Sequence, residues 1–193
     1  MEAWKQNLQI ASGDFQREVL PNVSASLPAG EVVSVELEGI ASNSWTGTAG
    51  VLDRDAGIDY LIRSPSSGVT TLAARVSYSY SSSLAYASFT LGEYELQKRR
   101  RELETDEAIG PFFTVQGTVT CPQTGTFVCG AVVETSDLIS FVDNFPHLVQ
   151  TRWNATSGRP FNVVWAGDLR NQGFRVHVIV APKAGPILGW PNA

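Results

Sequence analysis

The chain has 193 residues, 43% of them hydrophobic and 17% charged, which is enough apolar material to bury roughly 70% of the unfolded surface without disulfide or metal staples. Its 14 basic and 19 acidic residues give a formal net charge of −5, which excludes a strongly basic nucleic-acid-binding module and confines any phosphate contact to a local patch. The first ten residues, MEAWKQNLQI, lack the basic start and apolar run of a secretory signal, and no stretch approaches the ~18 apolar residues of a membrane span. Synthesis in the cytoplasm, with no membrane partner, is the expectation.

In chain order, residues 31–40 (EVVSVELEGI) alternate apolar and polar with the period of two of a half-buried strand. Residues 58–63 form a short strand, stopped by Ser64-Pro65-Ser66-Ser67-Gly68. Two longer runs, 69–80 and 84–96, alternate tyrosine and apolar residues with serine and are joined at Ser81–Ser83 as a hairpin. Residues 97–109 break the pattern with a basic block followed by an acidic one, the composition of a short exposed helix or ordered loop. Strands resume at 112–121 and 126–134. Residues 136–145 carry a capping serine and an apolar face, and so form a short helix ended by Pro146. Strands at 161–165 and 174–181 complete a set of eight.

The expected fold is all-β: an eight-stranded antiparallel β-sandwich, jelly-roll-like, with one short helix. It forms a single domain over residues 1–193, with extended terminal arms at about 1–26 and 183–193.

Catalytic chemistry has no visible home. His147 and His177 lie in a helix end and a strand, and there is no nucleophile elbow, phosphate loop or zinc-protease motif. No enzyme is therefore expected. Cys121 and Cys129, two thiols without a second pair, cannot complete a zinc site and read as small buried groups that could face each other across a turn. Asp53, Asp55 and Asp59 share a glycine-containing loop that could give oxygen ligands to Ca²⁺ at a subunit interface, although the glutamate of a calcium loop is missing and an ordinary polar turn is the simpler reading. No other cofactor is expected. Lys98, Arg99, Arg100 and Arg101 are the one dense basic block, able to meet a few RNA phosphates or to pair with the acids that follow. Trp4 and Trp190 in the terminal segments, with Tyr78, Tyr80 and Tyr86 on uncharged strand faces, are candidates for a subunit interface.

Eight strands, an apolar but not basic composition and aromatic terminal segments together resemble the jelly-roll coat proteins of small icosahedral RNA viruses. The resemblance is one of architecture, without a diagnostic motif. It implies a self-assembling capsid protein found in the virion, whose partners are its own copies and, weakly and non-specifically, genomic RNA. The first ten residues hold a single basic residue, Lys5, where many such proteins carry a basic arm; tymovirus-like members lack that arm too. Two other readings stand beside it. One is a monomeric ligand- or carbohydrate-binding β-sandwich using Tyr78, Tyr80, Tyr86 and the tryptophans. The other is a phage tail or head accessory protein.

Overall fold

A computed structural model describes residues 3–35, 58–66, 68–80, 85–105, 110–154, 158–182, 184 and 187–190. Its centre is a six-stranded mixed sheet: β1 (Glu31–Ser34), β2 (Tyr60–Ser64), β3 (Gly68–Tyr78), β6 (Phe113–Val119), β7 (Phe127–Glu134) and β10 (Val176–Val180), in the order β1-β2-β3-β6-β7-β10. All neighbours are antiparallel except β3 and β6. Strands β6 and β7 are buried on both faces along almost their whole length, which accounts for the near-continuous apolar sequence of β7, while β6 alternates apolar residues with the buried polar Thr114, Gln116 and Thr118.

One face of this sheet is covered by a helical segment that begins with α1 (Ala3–Asp14), loosens into a π turn (Phe15–Val19) and continues as α2 (Leu20–Val23) into a 3₁₀ turn (Ser24–Ser26). The π turn, with the Leu20 N–H donating to the Phe15 carbonyl, immediately precedes Pro21. Proline removes one helical donor and crowds the carbonyl four residues back, and a widened turn relieves that crowding. Phe15, Val19 and Val23, one turn apart, are fully buried against Tyr60, Leu72, Val115, Val119 and Val132. Their burial is worth roughly 1.5–3 kcal/mol each. Gly117 on β6 and Gly130 on β7 are register partners, and a side chain at either would overlap Val19 or Val23. The two glycines cut the groove that seats the helix.

The other face meets a second layer: β5 (Ser88–Gly92), β9 (Arg159–Trp165) and β8 (Gln150–Asn154) in the antiparallel order β5-β9-β8, with α3 (Glu93–Glu104), α4 (Thr135–Asn144) and α5 (Ala166–Asn171). Phe89, Leu91, Val133, Leu138, Phe141 and Val164 form the core between them. Gln116 ties the layers together. Its Oε1 accepts from the Thr90 N–H (2.8 Å) and hydroxyl (3.1 Å), while its Nε2 donates to Ser77 Oγ (2.9 Å). The last short pair, β4 (Ala85–Tyr86) and β11 (Ile187–Leu188), is parallel.

The chain is thus β-rich but not all-β, and its sheets are mixed rather than wholly antiparallel. Residues 3–26, expected as an extended arm, are helical, because the four-residue spacing of Phe15, Val19 and Val23 matches a sheet groove. Residues 187–190, expected in the other arm, dock on their own chain. The expected strand at 84–96 ends at Gly92, where Glu93 starts α3. The turn expected at Ser81–Ser83 lies outside the described residues, and the strands on either side belong to different sheets, β3 pairing with β2 and β6 and β5 with β9. The helix expected at 136–145 is α4, and the strands at 112–121, 126–134, 161–165 and 174–181 correspond to β6, β7, β9 and β10. Among the described residues, no helix is long and apolar enough to cross a membrane.

Candidate functional site

An open cleft of about 610 Å³ lies where β4, β8, β9, α5 and β11 converge. Strand alternation places Gln150, Arg152 and Trp165 on one face of the small sheet. The Trp165 ring meets Tyr86 at a centroid distance of 6.3 Å, and the Arg152 guanidinium lies 5.9 Å from the Trp165 ring. The Arg170 guanidinium, itself outside the lining, lies 5.0 Å from the ring of Trp190, which does line the cleft. The C-terminal segment builds this wall through backbone bonds: Ala87 N–H to Leu188 O (3.0 Å) and Gly167 N–H to Gly189 O (2.7 Å). Gly189 has φ +78°, and a side chain there would overlap the Trp165 ring, so two constraints demand glycine at once. Chemically the cleft offers three aromatic rings, the Arg152 guanidinium, the amides of Gln150 and Asn171 and, among the described residues, one carboxylate, Asp168, while a second guanidinium, Arg170, lies against the Trp190 ring outside the lining.

Trp165 belongs to the tryptophans expected to line a ligand site, whereas Arg152 and Arg170 were not singled out by sequence reasoning, although a signal existed. Beyond Asp143 the chain carries Arg152, Arg159, Arg170, Arg175 and Lys183 against the single acid Asp168, a basic segment in an acidic protein.

Of the expected interface residues, Tyr86 and Trp190 come together in this cleft, and Tyr78 and Tyr80 do not. Tyr80 is 82% exposed just beyond β3. Trp4 lies in α1. Tyr78 is half-buried, and its hydroxyl donates to Asp14 Oδ2 at 2.9 Å. Asp14, 1% exposed, also accepts the Gln123 N–H (2.9 and 3.1 Å) and an ion pair from Arg17. Burial raises its pKa, but the Gln123 N–H, the Tyr78 hydroxyl and Arg17 outweigh that and hold the carboxyl below its ordinary value. Burial, and then the Asp14 carboxylate, push the Tyr78 hydroxyl well above its own. This cluster pins α1 to β3 and to the turn at residues 121–125.

The basic block does not act as one patch, because successive residues on a helix point about 100° apart. Arg99 is buried and its Nη1 donates to Glu102 at 2.5 Å. Arg100 reaches Asp143 on α4, with Nε at 2.8 Å. Lys98 lines a separate cleft of about 520 Å³ beside β3, together with Asp59 and the Arg75–Glu95 ion pair, and Arg101 is exposed. Asp53 and Asp55 lie outside the described residues. The Asp59 carboxylate accepts the Ala74 N–H at 2.6 Å. Among the described residues, no group of three or more His, Cys, Asp or Glu side chains is placed to hold a metal ion.

Cys121 and Cys129 are free and do not face each other: Cys129 pairs in register with Thr118 and Val180, and its burial raises its thiol pKa. His147 sits in a 3₁₀ turn and His177 is exposed on β10. Compared with family models, curated proteins and solved structures, the chain matches no family, no curated relative and no solved fold.

Proposed function

We propose that the chain is a structural protein that assembles with copies of itself, in its most specific form the coat subunit of a small icosahedral RNA virus. The observation that carries this reading is strand β8. Among the described residues it lies at an edge of the small sheet, is exposed at every residue, and presents Trp153 with 66% of its surface in solvent. Trp153 stands opposite Pro160, which has no N–H, so the ladder leaves the Trp153 N–H and carbonyl turned away from β9. Unpaired backbone groups beside an exposed indole form a template for another strand.

Replacing Trp153 with Lys puts a charge on that edge at a site with little intramolecular packing. The variant is expected to keep the parent's circular dichroism and to elute as a 20.9 kDa monomer where the parent elutes as a larger species. Assembly unchanged in Trp153→Lys contradicts the role of β8. A second reading, a ligand-binding domain that works as a monomer, is favoured by the aromatic cleft of Tyr86, Trp165 and Trp190.

A further inference from the structure

The cleft combines flat aromatic surface with positive charge. Tyr86, Trp165 and Trp190 offer flat rings, Arg152 lines the cleft beside Trp165, and Arg170, just outside the lining, lies against Trp190, with Asp168 the one acid lining it among the described residues. Neutral sugars would use the rings and amides but have no need of guanidinium groups. A single-stranded nucleic acid uses both: bases stack on aromatic faces in a sequence-tolerant way, and phosphates meet the cations alongside. The charge distribution points the same way, since the basic residues beyond Asp143 outnumber the acids five to one in a chain of net charge −5. We infer that the Tyr86–Trp165–Trp190 cleft binds a short stretch of single-stranded nucleic acid, with bases on the rings and phosphates on Arg152 and Arg170.

This site is separate from the edge used for assembly. Strand alternation turns Arg152 toward Trp165 and sends the neighbouring Trp153 to the opposite face. It is also separate from α3, where Arg99 and Arg100 already hold Glu102 and Asp143. The inference does not rest on the assembly reading.

The test is fluorescence anisotropy of a fluorescein-labelled single-stranded oligouridylate titrated with the full chain, with sedimentation recorded in parallel so that assembly and binding are scored independently. Two phosphate contacts on a single strand should raise Kd about sevenfold between 50 and 200 mM salt. The double variant Arg152→Ala/Arg170→Ala should weaken binding about tenfold or more and flatten that salt dependence. Tyr86→Ala should cost about fivefold or more at every salt concentration, as loss of one stacking ring does. Circular dichroism checks that each variant is folded, and Arg152→Lys/Arg170→Lys, which keeps both charges, should retain most of the salt dependence. Three results would overturn the inference. They are no binding at 50 mM salt, binding that survives loss of both arginines but disappears in Arg100→Ala/Arg101→Ala, and tryptophan quenching by a neutral oligosaccharide where the oligouridylate gives none.

Discussion

Asp14 is a buried carboxylate that receives donors from three separate places in the chain: Arg17 one turn on, Tyr78 at the end of β3, and the backbone of Gln123. Replacing it with Asn removes the charge while keeping the shape, and leaves buried donors partly unmet. Asp14→Asn should therefore cost about 1–3 kcal/mol in urea unfolding at neutral pH. The folded carboxyl titrates below its ordinary value of 3.8. Its stabilisation is thus complete above that pH and is lost as pH falls through the lower folded value, so the stabilities of parent and variant should converge only on acidification below 3.8. Gln123, held in place by the same carboxylate, has φ 66°, a left-handed conformation that costs a side-chain-bearing residue about 1–2 kcal/mol. Gln123→Gly removes that strain at some cost in unfolded-chain entropy, and should stabilise the protein by up to about 1 kcal/mol in the same assay. Neither residue stands out in the sequence, because the cluster joins positions more than a hundred residues apart.

Among the elements, the join between helix and sheet depends on Gly117 and Gly130. Gly117→Ala pushes a methyl group into Val19 and should lose about 1–3 kcal/mol of stability, measured by thermal or urea unfolding, whereas alanine at Gly13, which has open space around it, should not. The strands flanking this groove were legible in sequence because β7 is a continuous apolar run, β6 alternates apolar and polar residues, and both are bounded by turn residues. The helix was not. Pro21 interrupts it, and its buried stripe of Phe15, Val19 and Val23 is only one residue wide, so the pattern resembled an irregular arm. Helix α3 was misplaced for a related reason. Apart from Leu96, it buries Arg99 rather than a second apolar residue, so its start at Glu93 has no apolar period to announce it. Strand β8 was missed because both its faces are exposed, which removes the alternation that marks a strand.

Across the whole molecule, the sequence conveyed a β-rich chain with a real core and one amphipathic helix, but not the mixed topology. Parallel pairing of β3 with β6 joins segments separated by β4, β5 and α3, and local patterning carries no trace of it. The candidate cleft was half legible: Tyr86, Trp165 and Trp190 attracted attention as aromatics, whereas Arg152 and Arg170 acquire meaning only when β4, β8, β9 and α5 converge. The account of the molecule as a self-associating structural unit rests on exposure that a solitary chain leaves uncovered, at Trp153 and along the β8 edge. Sedimentation velocity of the full chain over a hundredfold range of concentration examines that account most directly. Association through β8 predicts a species many times the chain mass of 20.9 kDa, growing with concentration and abolished by Trp153→Lys, and a single 20.9 kDa boundary at every concentration would contradict it.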